Sequence, residues 1–253
     1  RRHIRFLLSK GSMYQVCNGN LLFHGCIPMD ENGGFESVEI EGKSCRGRAL
    51  LDEINVLVNR AYFSGDDTYA KDFMWFLWCG SRSPLYGKDK MAFFEQYFID
   101  DPELCKENYN YYYAFSEKPA VCRMILRHFS MDEDRGHIIN GHVPVKIKDG
   151  ESPVKADGKL FVIDGGISKA YQRATGIAGY TLIYDSHGLS LAEHKPFVPG
   201  IPGQTPEIHV VERLQSRANI SDTDNGKALQ EMIEDLRMLL EAYRSGSIKE
   251  NSI

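Results

Sequence analysis

The chain uses one short construction twice. Asn20-Leu21-Leu22-Phe23 delivers His24-Gly25-Cys26-Ile27-Pro28, and Ile138-Ile139 runs through Asn140-Gly141 to His142, with Pro144 close behind. Each copy starts as an apolar strand, turns at a His beside a Gly, and ends at a Pro, which lacks the N–H that a ladder needs. A His placed where a strand stops and a Gly-flanked loop begins is aimed outward by a rigid element. Binding and catalytic groups tend to be mounted in such places. The two His lie 118 residues apart, and the segment between them reads mostly as helix.

Around these strands the pattern is mixed. Asn18-Gly19 is a strong hairpin signal and predicts two short strands within residues 12–23. Alternation at Phe35, Val38 and Ile40 predicts a strand or hairpin in 30–42. Helical spacing predicts helices over 48–63 and 88–99; the apolar-rich 68–78 reads as a buried helix or helix end, Asp101-Pro102 starts a further helix, and Pro119 opens one over 120–129. Ser64-Gly65-Asp66-Asp67 ends the first and caps the second, and 79–87 is a loop. A second apolar strand, 160–163, ends in Asp164-Gly165-Gly166, and the run 178–184 is expected to be its hairpin partner. His187-Gly188 turns into a short strand over 189–192, residues 196–206 form a Pro/Gly-rich linker, and 208–214 alternates as a strand. Asp224 or Asn225 is expected to cap a last helix over 227–244, with Leu229, Ile233, Leu236, Leu240 and Tyr243 as its apolar stripe.

The chain's 253 residues are enough for one large domain or two small ones. A net charge of −5 with no dominant basic face gives no nucleic-acid footprint. No apolar run reaches the roughly 18 residues of a membrane span, and RRHIRFLLSKGS is too quickly interrupted for a signal peptide. The six Cys are scattered without zinc spacing, which points to reduced cytosolic thiols. The start at Arg1 with no Met suggests a fragment, a processed product or a renumbered chain.

Either His alone is more often a hydrogen-bonded structural residue than a ligand. The pair is a stronger signal, because neutral imidazole is a common ligand for divalent metals. Two His cannot complete a hydrolytic metal site, since hard cations also need oxygen ligands. For phosphate, the candidates are Arg82 and Lys88, in or beside the 79–87 loop, and Lys146, just past His142. Each alone reads more readily as a solvated charge. Asp164-Gly165-Gly166 and 176–179 either let backbone approach a ligand or make tight turns. Tyr171 and Arg173 are possible sugar contacts. The aromatic run 109–113 reads as packing or a subunit contact, and His187 and His194 as structural.

His24-Gly25-Cys26-Ile27-Pro28 resembles the HGG-x-x-P element of calcineurin-like metallophosphoesterases, and Asn140-Gly141-His142 resembles their late Gly-His ligand. Longer stretches are more particular. Phe76-Leu77-Trp78-Cys79-Gly80, Ser83-Pro84-Leu85-Tyr86-Gly87-Lys88, Val162-Ile163-Asp164-Gly165-Gly166 and Thr175-Gly176-Ile177-Ala178-Gly179-Tyr180 resemble class III fructose-1,6-bisphosphatases. The likeness runs from about residue 12 to 215. That family's earlier Asp-x-His, Gly-Asp-x-x-Asp-Arg and Gly-Asn-His motifs are absent, and Pro144 stands where many phosphoesterases have a second His.

The resemblance implies an α/β fold, a metallophosphoesterase-type β-sandwich flanked by helices, incomplete here and carrying a helical insert. Residues 1–30 and 137–200 would be core segments, 31–136 a mainly helical insert or cap with some core elements, and 201–253 a linker, strand and helix. It further implies a C-terminal part of an enzyme that hydrolyses fructose 1,6-bisphosphate in gluconeogenesis, in the cytoplasm. His24 and His142 would hold one metal, Mn²⁺ or Mg²⁺, of a two-metal site, with the other ligands in a missing N-terminal part. The expected partners are the sugar bisphosphate, that N-terminal part and a possible second copy, with no nucleic acid and no membrane. The chain alone is expected to be a poor catalyst or none. The alternatives are a non-catalytic binding or assembly module, and a metallophosphoesterase with another phosphoester substrate.

Overall fold

The computed structural model describes residues 1–166 and 168–249. Helix α1 (Arg2–Lys10) buries none of its residues. Asn18 and Gly19 both have positive φ, 48° and 77°, as a two-residue hairpin turn demands. They join β1 (Tyr14–Cys17) to β2 (Asn20–Phe23), with Cys17 opposite Asn20. Glu41-Gly42 makes a second such turn between β3 (Ser37–Ile40) and β4 (Lys43–Arg46). Helix α2 (Gly47–Phe63) buries Leu50, Leu51, Ile54 and Leu57. Asp67 then caps α3 (Thr68–Cys79) by accepting from the Ala70 N–H at 2.9 Å, the role its sequence position predicts.

From here to the third long helix the chain is less regular than its apolar spacing suggests. Only α4 (Glu95–Phe98) forms within the helix expected over 88–99, followed by α5 (Pro102–Cys105) and α6 (Tyr112–Phe115). The N–H groups that would start the longer helix are engaged elsewhere. The Asp89 N–H donates to the Asn108 carbonyl at 3.0 Å, and the Ala92 N–H to Glu107 Oε1 at 2.9 Å. The face expected to be buried is open: Phe94 is 69% and Phe98 82% exposed. Regularity returns at α7 (Pro119–His128), with Pro at the helix start where its missing N–H costs nothing.

β5 (His137–Asn140), β6 (Val154–Lys155) and β7 (Leu160–Val162) complete a five-stranded sheet of order β1-β2-β5-β7-β6. Its three central strands, β2, β5 and β7, are parallel. Helix α8 (Lys169–Thr175) ends at Gly176, left-handed at φ 84°. β8 (Gly179–Asp185), β9 (Gly188–His194) and β10 (Glu207–Arg213) form a separate antiparallel sheet, order β10-β9-β8. The run 178–184 is therefore the hairpin partner of β9 and not of β7. A short turn gives it seven paired residues there, while the edge of β7 is taken by β6. The last helix, α9 (Asp224–Ser245), is capped by Thr223, whose Oγ1 accepts from the Gly226 N–H at 3.0 Å; Asp224 instead accepts from the Asn18 N–H. The end of the 201–253 segment, residues 250–253, lies outside the described residues.

The result is a mixed α/β fold with a mixed sheet and helices. One core joins Leu21, Ile138 and Phe161 of the large sheet, Leu189 and Leu191 of the small sheet, and Ile125 and Leu126 of α7. Full burial of such side chains stabilises by about 1.5–3 kcal/mol each. A second core lies within residues 38–77, where Val38, Ile40, Ile54, Leu57 and Phe73 meet. All six cysteines are free thiols. No helix among the described residues is long and apolar enough to cross a membrane.

Candidate functional site

Parallel strands end on the same side of their sheet, so β2, β5 and β7 present their loops together. Ligands in open α/β sheets bind outside such carboxyl ends. His24 follows β2, His142 follows β5 and Asp164 follows β7. The paired positions Leu22–Ile139 and Asn140–Val162 set the three ends at nearly one level.

His142 Nδ1 and His24 Nε2 face each other at 3.2 Å. His142 Nε2 lies 2.9 Å from the Tyr86 carbonyl. A carbonyl only accepts, so Nε2 carries a proton, and Nδ1 is the nitrogen turned toward His24. A fixed tautomer held by a backbone acceptor is the usual support of a ligating His. His142 holds this pose with a left-handed backbone, φ 68°. Burial and the neighbouring His142 push the His24 imidazole below its ordinary range, and Asp164 opposes that shift. The net direction favours the uncharged imidazole, the form that binds metal.

Gly25 explains why Gly follows His24. A Cβ there would stand 2.2 Å from the Pro84 carbonyl oxygen, which accepts from the Cys26 N–H at 2.9 Å. The absent side chain lets the 79–87 loop close on β2's end and bring the Tyr86 carbonyl to His142. Ser83 braces that loop from below: its Oγ donates to the Leu77 carbonyl at 2.6 Å and accepts from the Leu85 and Tyr86 N–H groups, each at 3.3 Å. Under the His loop, Asn140 Nδ2 donates to the fully buried Tyr112 hydroxyl at 2.9 Å and to the Gly25 carbonyl at 3.3 Å. Asn140 Oδ1 is buried with no hydrogen-bond partner among the described residues.

The phosphate candidates have unequal positions. Arg82 is held at φ 67°, donates through Nη1 to the Ser37 carbonyl at 3.1 Å and faces Glu36 at 3.7 Å. Lys88 pairs with Glu107 at 2.6 Å and lies 5.4 Å from the Tyr109 ring centroid. Both are engaged in fixing the loop that carries Tyr86. Lys146 is exposed, and its ammonium makes no hydrogen bond or ion pair among the described residues. Tyr171 and Arg173 are exposed on α8, after the third parallel strand. Gly165 and Gly179 serve each other rather than a ligand, since a Cβ on Gly165 would stand 2.6 Å from the Gly179 Cα.

The residues outside the sequence-based set are Tyr86, Asn140, Tyr112 and Asp164. Tyr86, Asn140 and Asp164 lie inside the recognised stretches. Tyr86 acts through its carbonyl, which no side-chain pattern reveals. Tyr112 hides in an aromatic run that reads as packing.

The two imidazole nitrogens fit part of a metal's shell. Two metal–nitrogen bonds of roughly 2.1 Å at a right angle place their nitrogens about 3 Å apart. Among the described residues no group of three or more His, Cys, Asp or Glu side chains is placed to hold a metal ion.

Residues 1–245 match the family described as Firmicute fructose-1,6-bisphosphatase. The chain belongs to that family. It is 49% identical over 265 residues to the class 3 fructose-1,6-bisphosphatase of Clostridium botulinum strain Langeland, covering 100% of this chain and 39% of that protein. It is 47% identical over 260 residues to one from Clostridium beijerinckii, covering 99% of this chain and again 39% of the relative. The chain therefore spans about two fifths of the length of these Firmicute fructose-1,6-bisphosphatases. No solved structure matches.

Proposed function

We propose that this chain is the C-terminal part of a fructose-1,6-bisphosphatase of the metallophosphoesterase type, and that it contributes one half of a two-metal site. The reaction of the whole protein is hydrolysis of fructose 1,6-bisphosphate to fructose 6-phosphate and phosphate, in gluconeogenesis and in the cytoplasm. The observation that supports it most is the meeting of His142 Nδ1 and His24 Nε2 at 3.2 Å, at the carboxyl ends of adjacent parallel strands.

In this reading His24 and His142 hold one Mn²⁺ or Mg²⁺. Bound metals would activate water and neutralise charge on the reacting phosphate. The chain's own residues have defined tasks. The Tyr86 carbonyl keeps the His142 proton on Nε2, so Nδ1 stays a ligand. Burial disfavours the protonated form of His24. Lys146, four residues beyond His142 and with no partner for its ammonium among the described residues, meets a substrate phosphate; Tyr171 and Arg173 face the sugar. Arg82 and Lys88 act through the loop they brace. The carboxylate ligands come from the part of the protein that the relatives carry and this chain lacks.

The test is metal-dependent phosphate release from fructose 1,6-bisphosphate. The purified chain alone should show none above background. Co-expression with the remaining portion of the C. botulinum relative should restore it, and His24→Asn or His142→Asn in that complex should abolish it. Robust turnover by residues 1–253 alone would sink the half-site reading. Full activity of both His variants in the complex would sink the ligand assignment.

A non-catalytic assembly module is favoured by one observation, the exposed apolar stripe of α9. Restored turnover on complementation decides against it.

A further inference from the structure

Two stretches of this chain combine exposed apolar side chains with charge of a single sign, and their signs are opposite. The first is α1. Residues 1–10 hold Arg1, Arg2, Arg5 and Lys10 and no carboxylate, in a chain whose net charge is −5. Ile4, Leu7 and Leu8 fall at i, i+3 and i+4, on one face of the helix. The helix buries none of its residues, and Ile4 is 52% and Leu7 64% exposed. None of the four cationic side chains makes a hydrogen bond or ion pair among the described residues.

The second stretch is 93–104, which contains α4 and most of α5. It holds Glu95, Asp100, Asp101 and Glu103 and no Lys or Arg. Its rings stand outward. Phe93 meets Phe94 and Tyr97 edge-on, with centroids 5.5 and 5.4 Å apart, and Phe94, Tyr97 and Phe98 are 69%, 73% and 82% exposed. Asp101 accepts from the Glu103 N–H at 3.0 Å, a neutral donor that leaves its charge in place. None of the four carboxylates forms an ion pair among the described residues. The neighbouring cations do not balance them. Over 88–107, Lys88, Lys90 and Lys106 stand against six carboxylates. Lys88 is already paired with Glu107, and Lys90 is turned to the Leu104 carbonyl.

Large exposed apolar patches mark interaction sites, and Phe, Tyr and Arg are enriched in interfaces between proteins. Both stretches are open within one chain, so the chain does not cover one with the other. The exposed stripe of α9 differs in kind. It is edged by both signs, Lys227, Arg237 and Arg244 beside Glu231, Glu234 and Glu241, and its charges select no partner.

We infer that α1 of one copy of this chain docks on the 93–104 face of a second copy, and that the second copy returns the contact. Ile4, Leu7 and Leu8 cover the exposed rings, and the α1 arginines meet the carboxylates beside them. Guanidinium groups pair with carboxylates and also lie on aromatic faces, so they suit both components of this surface. Charge sets which surfaces meet, and the apolar groups supply the burial. A reciprocal exchange is self-complementary and closes as a two-fold dimer. The inference uses neither His24 nor His142 and does not depend on the reaction assigned to them.

Sedimentation equilibrium of the 253-residue chain is the measurement, and a dimer is the expected result. Arg2→Glu/Arg5→Glu and Asp100→Lys/Glu103→Lys should each weaken dimerisation by about tenfold or more, since like charges then face each other. All four side chains are exposed and make no bond among the described residues, so neither variant disturbs the fold. An equimolar mixture of the two variants should dimerise again, because the reversed helix of one meets the reversed face of the other and the unchanged surfaces still match. A monomeric wild-type chain overturns the inference. So does a dimer that both variants retain, which would place the contact elsewhere, as on α9, and so does a mixture that stays monomeric.

Discussion

Gly25 carries the strictest requirement of any residue near the candidate site. Its Cβ position falls 2.2 Å from a backbone oxygen, which cannot swing aside as a flexible side chain can. Gly25→Ala should therefore destabilise the chain by about 1–3 kcal/mol, the range of overpacked positions, and should detach the Tyr86 carbonyl from His142. Gly65→Ala is the matched control, because nothing lies within 4 Å of a Cβ there. Urea unfolding of the two variants checks this, and equal midpoints would show that the loop yields. A second residue-scale effect is titration. His137, like His24, is held below the ordinary imidazole range by burial, with Glu212 opposing the shift in His137. As pH falls below about 6.5 the unfolded chain takes up protons before the folded chain does. Stability should thus be level above that point and decline below it. His137→Gln should reduce the loss measured by urea unfolding between about pH 7.5 and about pH 5.5; an undiminished loss would assign it to other groups. Sequence reasoning could find His24 and His142 because a strand end, a Gly and a Pro mark them. It could not find Tyr86, whose carbonyl any residue would supply, nor show that Glu107 and Glu36 already engage Lys88 and Arg82.

Elements with a repeated pattern were legible, and elements held by single polar contacts were not. The β1–β2 hairpin follows from Asn18-Gly19, α2 and α9 follow from apolar spacing, α3 from its apolar richness and α7 from Pro119 at its start. Strand β6 has only two residues, too few for any period, yet it takes the edge of β7 and leaves β8 to pair with β9. The stripe of α9 was visible, but its burial did not follow. Leu229, Ile233, Leu236, Leu240 and Tyr243 are 44–61% exposed, and Gly226 is the only buried residue of the helix among the described ones. Amphipathic spacing reports what a helix can bury and not whether a partner is present. Leu236→Ala in this chain should consequently change stability by less than about 0.5 kcal/mol. Ile138→Ala, in the centre of the large sheet at 0% exposure, should cost about 2–5 kcal/mol. Chemical denaturation compares the two, and a large loss at Leu236 would mean that α9 is packed in solution.

At the scale of the whole molecule the two apolar cores meet along α2. Its neighbours Leu50 and Leu51 belong to different cores, Leu50 to the one within residues 38–77 and Leu51 to the one under the large sheet. Consecutive helix residues point about 100° apart, so one helix can serve two cores without merging them. The smaller core is built from local partners, β3 with β4 and α2 with α3. The larger one joins strands far apart in sequence, and it fixes the His-bearing strand ends. Regions with separate apolar contacts open separately, each with its own free energy. Ile54 is fully buried and belongs to the smaller core. Ile54→Ala should accordingly speed amide hydrogen exchange in β3, β4 and α3 by tenfold or more, corresponding to a local loss of at least about 1.4 kcal/mol. Exchange in β2 and β5, which position His24 and His142, should stay within about twofold of the parent chain. Equal acceleration in both regions would show one cooperative unit. The selective result would mean that the 38–77 region can loosen while the two imidazoles keep their 3.2 Å approach.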